Sequence, residues 1–169
     1  MLGFGCTVLG YDRYRNPAFE AMGGCYASTA DLVHDCDVIS LHCPLTDETR
    51  HIVNAGSLAR VKRGAILVNT SRGALVDTEA AIAALKSGQL GGLAIDVYEQ
   101  ESNLFFQDLS STIIEDDVIQ RLVSFHNVIV TGHQAFFTQE AIGQIMQTTI
   151  ESISAFEAGA ELVNRVPVA

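Results

Sequence analysis

The sequence contains no tryptophan, three prolines and half as many basic as acidic side chains, 10 against 20. No stretch approaches the run of about 18 apolar residues that a membrane helix needs. No basic segment precedes an apolar one at the N-terminus, so neither a membrane span nor a signal peptide is expected. The shortage of lysine and arginine leaves a net charge of -10, which repels phosphate backbones and argues against nucleic acid as a partner. Cys6, Cys25, Cys36 and Cys43 form no C-x-x-C pair, and their long, uneven spacing suits reduced thiols in the cytoplasm. Three of them stand in or beside apolar runs and are expected to be buried and inert. What remains is a globular composition: 169 residues, 48% hydrophobic and 18% charged, enough for one domain with a sizeable core.

Short β-branched and apolar runs recur at Cys6 to Tyr11, Val38 to His42, Ala65 to Asn69, Leu93 to Val97 and Val128 to Thr131. Each has the length of a strand. Helix-like segments lie between them at Ser28 to Cys36, Asn54 to Val61, Thr78 to Ser87 and Val118 to Phe125; Ser28 and Asp31 have the spacing of a capping box. Near-continuous apolar strands separated by helical crossovers predict an α/β fold with an open, doubly wound parallel sheet of the Rossmann type. The one long irregular connection, Tyr98 to Asp117, is acidic and is expected to expose its aromatics. Thr138 to Gly159 reads as a single helix of about 33 Å with an apolar stripe at Ile142, Ile145, Met146, Thr149, Ile153 and Phe156. It is longer than a crossover requires and is expected to pack in part on something outside these residues.

Open α/β sheets bind ligands beyond the carboxyl ends of their strands. There the sequence collects Asp12, then His42-Cys43-Pro44, then Asn69-Thr70-Ser71-Arg72-Gly73, then Asp96 with Glu99 and Glu101, and finally Gly132-His133. Asp12 ends a strand that follows a glycine-rich stretch. A dinucleotide fold places an acid there for the adenosine ribose, which would favour NAD over NADP; a turn-forming aspartate is the other reading. The matching G-x-G-x-x-G should stand roughly 20 residues earlier, upstream of Met1. Gly3 and Gly5 cannot replace it, because they fall where the first helix should be ending. Arg72, flanked by small residues, is placed to bind a carboxylate bidentately or to form a surface salt bridge. His133 can serve as a general acid or base if a carboxylate such as Glu101 orients it, and is otherwise structural.

The runs N-T-S-R-G (69–73), D-V-Y-E-Q-E (96–101) and T-G-H-Q-A-F (131–136), preceded by H-C-P-L-T (42–46), resemble the D-isomer-specific 2-hydroxyacid dehydrogenases over essentially the whole chain. Within that family the likeness is greatest to the fermentative D-lactate dehydrogenases of bacteria. The resemblance implies that Arg72 binds the carboxylate of a 2-oxoacid and polarises its carbonyl, that His133 gives a proton to the carbonyl oxygen, and that Glu101 holds His133. It further implies NAD as cofactor. Asp12 would hold the adenosine ribose, Cys43, Pro44 and Thr49 would line the adenine side, Thr70 and Ser71 would border the nicotinamide ribose, and Asp96 would contact the carboxamide. Residues 1–134 would be a partial NAD-binding domain without its first strand and glycine loop. Residues 135–169 would be a helix and tail packing toward a substrate domain. Such proteins commonly associate as homo-oligomers through this domain, and the 169 residues alone are expected to be inactive. Gly132 departs from the proline that many relatives place before the histidine.

Three other readings compete. Ser71, Glu101 and His133 follow the chain order of an α/β-hydrolase triad, but Asn69 and Thr70 stand where a nucleophile elbow needs G-x-S-x-G. His34, Cys36, His42 and Cys43 could suggest a metal site, yet neighbouring strand residues point to opposite faces, so no metal is expected. A non-catalytic fragment or partner-binding module would keep the fold without the reaction.

Overall fold

The computed structural model describes residues 1–105, 108, 109 and 111–166. Its strands are β1 (Leu9–Gly10), β2 (Cys25–Tyr26), β3 (Val38–Leu41), β4 (Ala65–Asn69), β5 (Leu90–Ile95) and β6 (Val128–Val130). Its helices are α1 (Pro17–Ala21), α2 (Thr29–Asp35), α3 (Ala55–Leu58), α4 (Thr78–Ser87), α5 (Asp117–Val123) and α6 (Gln139–Glu157). β3, β4, β5 and β6 lie side by side in that order, all parallel, while β1 and β2 form a separate parallel pair. This is the doubly wound α/β arrangement expected from the alternation of elements. Two compact units divide the chain, residues 1–133 and 134–169.

The register explains the core. Ile39, Leu67, Leu93 and Val128 are successive partners across the sheet, as are Leu41, Asn69, Ile95 and Val130. With a side-chain period of two, both rows share one face. They pack with Leu58, Val61, Ala81, Leu85, Ile119 and Leu122 from α3, α4, α5 and the α3–β4 connection. Burial of a leucine such as Leu67, 1% exposed, contributes roughly 1.5–3 kcal/mol. Val38, Ile66 and Ile129, on the opposite face, are all largely exposed.

Capping sets where the helices begin. The Ser28 side chain accepts from the Asp31 N–H at 3.1 Å while Asp31 accepts from the Ser28 N–H at 3.3 Å, the capping box foreseen from spacing. Asn54 and Ser57 make a second box for α3, and Asp77 and Asp116 cap α4 and α5.

Several expectations are corrected. The strand expected over Cys6 to Tyr11 pairs only at Leu9–Gly10, and α1 and β2 follow it where no element was expected. β5 starts three residues before the expected Leu93. Gly91 and Gly92 broke the apolar pattern there, yet the strand needs a glycine, because a Cβ on Gly91 would lie 2.3 Å from the Gly64 carbonyl oxygen. None of the four cysteines is buried: Cys6 and Cys25 are exposed and Cys36 and Cys43 half-buried. Cys6 precedes β1, and Cys25 stands in a two-stranded sheet with too little around it to cover its thiol. In the connection after Tyr98, Leu104 and Phe105 are partly buried against the core and not exposed; Phe106 lies outside the described residues.

That connection is anchored by Tyr98. Its ring is 3% exposed, and its hydroxyl donates to both Asp116 oxygens, at 3.1 and 2.9 Å, while Asp116 also accepts the Val118 and Ile119 N–H groups. Burial first, then the bond to Asp116, pushes the Tyr98 hydroxyl well above its ordinary value of 10. Because the folded-state value is raised, the associated stability is present below about pH 10 and is lost as pH rises and unfolded tyrosine ionises. Tyr98→Phe is expected to cost about 1 kcal/mol at neutral pH and to shrink the alkaline loss. Urea unfolding at about pH 8 and about pH 10.5 measures both, and an equal alkaline loss in the variant refutes the assignment.

The second unit is dominated by α6, which runs 19 residues, about 28 Å, and so is shorter than expected. Thr138 caps it by accepting the Ala141 N–H. No α6 residue is buried, and Ile145, Met146, Ile150, Ile153 and Phe156 are exposed along it. Among the described residues no helix is long and apolar enough to cross a membrane.

Candidate active site

The site is assembled at the carboxyl edge of the four-stranded sheet. β4 ends in Asn69, which is 1% exposed. A buried amide must be bonded, and Asn69 meets that need by donating Nδ2 to the Arg72 carbonyl at 2.8 Å and accepting the Ser71 N–H at 3.1 Å. One side chain thereby fixes the turn that carries Thr70, Ser71 and Arg72. Ser71 Oγ donates to the Cys43 carbonyl at 2.7 Å, tying the exit of β3 to that of β4. Arg72 is exposed; its Nη1 donates to the Ser71 carbonyl at 2.7 Å, and it forms no ion pair among the described residues.

β5 and β6 are closed together in the same way. The Thr131 N–H donates to the Ile95 carbonyl at 2.9 Å, and the His133 N–H to the Asp96 carbonyl at 2.7 Å. Asp96 is buried and its carboxylate accepts from Thr131 Oγ1. These bonds hold His133 at φ 53°, a left-handed conformation uncommon for a residue with a Cβ. His133 Nδ1 lies 2.9 Å from Glu101 Oε1, both side chains being mostly shielded, and Glu101 Oε2 accepts the Tyr98 N–H at 3.0 Å. The contact of Nδ1 with Glu101 fixes the orientation of the ring.

The remaining residues lie along the rim. Asp12 is exposed beyond β1, and its Oδ1 accepts the Tyr14 N–H at 2.9 Å, so it forms the turn that was one of its two sequence readings. Thr49 Oγ1 donates to the Pro44 carbonyl at 2.7 Å and accepts the Thr46 N–H at 2.8 Å, shaping the loop after Cys43 and Pro44. An ion pair between Arg13 and Glu48 joins this loop to the chain after β1. Gly5 closes a 3-10 turn over Leu2–Phe4. Direct bonds thus join Cys43, Ser71, Arg72, Asp96, Glu101 and His133 through neighbouring strand ends, whereas Asp12 and Thr49 belong to outlying turns. Sequence reasoning placed Asn69 and Glu99 at this edge without giving either a role, and it passed over Thr131 and His51, whose Nε2 lies 2.7 Å from Glu99 Oε1. A lone asparagine closing an apolar strand was a readable signal for the role of Asn69. The hydrolase arrangement is not formed, because Ser71 Oγ donates to the Cys43 carbonyl and is not the partner of His133.

Residues 1–135 match the model of the D-isomer specific 2-hydroxyacid dehydrogenase NAD-binding domain. The chain belongs to this family. NAD is the cofactor of the domain so matched. 2-Hydroxyacid dehydrogenase A of Aspergillus oryzae is 53% identical over 154 residues, which cover 91% of this chain and 44% of that protein. The structure identified with the pyruvate reductase of Chlamydomonas reinhardtii superposes with a TM-score of 0.92 at 42% identity, covering 96% of this chain and 50% of that one. D-lactate dehydrogenase of Lactobacillus jensenii, solved with NAD+, gives a TM-score of 0.88 at 30% identity, with 99% and 50% covered. The chain spans about half the length of the curated relatives it matches. The strand ends are polar, with an exposed carboxylate after β1, small hydroxyl side chains after β4 and a buried carboxylate after β5.

Proposed function

We propose that the protein carrying this domain interconverts 2-oxoacids and D-2-hydroxyacids, with pyruvate and D-lactate as the leading pair. The observation that carries this reading is the His133–Glu101 couple, on the same sheet edge as an Arg72 that has no carboxylate partner among the described residues. NAD supplies the hydride chemistry that no side chain can provide. Arg72 binds the substrate carboxylate and draws electron density from the carbonyl. His133 gives the proton from Nε2 to the carbonyl oxygen during reduction and takes it back during oxidation, and Glu101 stabilises the imidazolium. Asp12 offers a carboxylate to the adenosine ribose, Cys43, Pro44 and Thr49 flank the adenine side, Thr70 and Ser71 the nicotinamide ribose, and Asp96 the carboxamide.

Residues 1–134 serve as the cofactor domain and 135–169 as a helix that packs toward a substrate domain. This reading is supported by the apolar face of α6 and by the exposed Val38, Ile66 and Ile129 on one face of the sheet. The test is NADH oxidation driven by pyruvate in the full-length polypeptide that contains these residues, with the chirality of the product read. D-lactate supports the proposal; L-lactate, or no turnover with any small 2-oxoacid, overturns it.

A further inference from the structure

Among the described residues only two that are not glycine have a left-handed backbone, His51 at φ 50° and His133 at φ 53°. Each is bonded to a glutamate of the same turn: His133 to Glu101 and His51, through Nε2 at 2.7 Å, to Glu99. Such conformations persist only where surrounding contacts hold them. Around His51 those contacts converge on the Arg72 turn. The His51 N–H donates to the Ala74 carbonyl at 2.8 Å, the Val53 N–H to the Leu75 carbonyl at 3.0 Å, and the Asp77 N–H back to the Val53 carbonyl at 2.8 Å. The other side of the turn is in contact with the chain around Glu99, since a Cβ on Gly73 would meet the Tyr98 carbonyl carbon at 2.1 Å and the Glu99 nitrogen at 2.4 Å. Glu99 completes the enclosure with its second oxygen, which accepts from Thr78 Oγ1 at 3.3 Å, while Arg50 Nη2 stands 3.7 Å from the first.

We infer that His51 and Glu99 are a positioning pair, which clamps the Arg72–Ala74 turn between residues 51–53 and the Tyr98–Glu101 turn and so sets Arg72 in register with His133. The pair touches neither substrate nor cofactor; its effect passes through the main chain of Gly73 and Ala74. The inference rests on the proposed role of Arg72 for its kinetic consequence, though the clamp itself is a statement about the fold alone.

The test uses Glu99→Ala, Glu99→Gln and His51→Asn in the full-length polypeptide. Asparagine tolerates the left-handed backbone, so it removes the imidazole with little added strain. Glu99→Ala and His51→Asn are expected to speed amide exchange over residues 72–76 and to raise KM for the 2-oxoacid about tenfold, with kcat falling less and NADH affinity within about twofold of the parent. Glu99→Gln keeps an acceptor for His51 and is expected to restore exchange and KM to within about threefold. A merely structural role would lower the melting temperature without this split or this rescue. Unchanged exchange over 72–76 in both Glu99→Ala and His51→Asn overturns the clamp even if the protein reduces no 2-oxoacid. Faster exchange without a KM effect, in a protein that does turn over, overturns the positioning role.

Discussion

His133→Gln is expected to slow 2-oxoacid reduction by about 10²–10⁴-fold while leaving NADH affinity near that of the parent. The argument is local. Glutamine can still bond Glu101 with its amide, so the couple seen at 2.9 Å has a partial replacement and the chain near β6 keeps its bond from residue 133 N–H to the Asp96 carbonyl. What it cannot do is act as a general acid or base at neutral pH. If the imidazole is the proton donor, the loss falls on kcat, because that interaction develops only as the carbonyl oxygen gains charge. Steady-state kinetics with NADH and pyruvate measures it in the full-length polypeptide. A rate within about tenfold of the parent would move the proton source to another group and leave His133 as a strand-end structural residue.

How far the site could be read beforehand depends on whether its determinants are local. β4 was legible to the residue, since Ala65–Asn69 is apolar, strand-length and followed by a polar turn. The Ser28 capping box was legible from a three-residue spacing. β2 was not: two residues, Cys25 and Tyr26, carry no periodicity, and only pairing with β1 makes them a strand. The preceding Asn16-Pro17 did carry the signature of a helix start, with Asn16 capping and Pro17 in the first turn, and was passed over. For the site, the polar residues at strand ends could be found because topology alone brings carboxyl ends to one edge. The partners that hold them could not. Asn69 bonds two residues of its own turn, but the His51–Glu99 bond spans 48 residues, and nothing in either local sequence announces the other. The expectation of buried cysteines failed for a related reason. Neighbouring apolar residues make a strand, whereas burial also requires a covering layer, which the chain around Cys6 and Cys25 does not receive.

Gly73→Ala should be as damaging to catalysis as a substitution at a reacting group, although the added methyl touches no ligand. Residue 73 does not have a left-handed backbone, so strain at its own φ is not the cause. The cause is space: the new carbon would lie 2.1 Å from the Tyr98 carbonyl carbon and 2.4 Å from the Glu99 nitrogen, and neither is the end of a side chain that can swing away. Either the Arg72 turn retreats from the sheet or the Tyr98–Glu101 turn does. Relief of such a contact needs a movement of about 1 Å, enough to cost about 10²-fold in kcat/KM when two catalytic groups lose their register, and overpacking of this kind costs about 1–3 kcal/mol of stability. Gly132→Ala provides the internal control. Gly132 immediately precedes His133, yet nothing lies within 4 Å of its notional Cβ and its φ is not positive. Its kcat/KM and unfolding midpoint are expected to stay within about threefold and about 0.5 kcal/mol of the parent. If Gly73→Ala proved as mild as Gly132→Ala, the tight contact between the two turns would not govern the distance between Arg72 and His133, and close packing at the strand ends would lose its place in the account of catalysis.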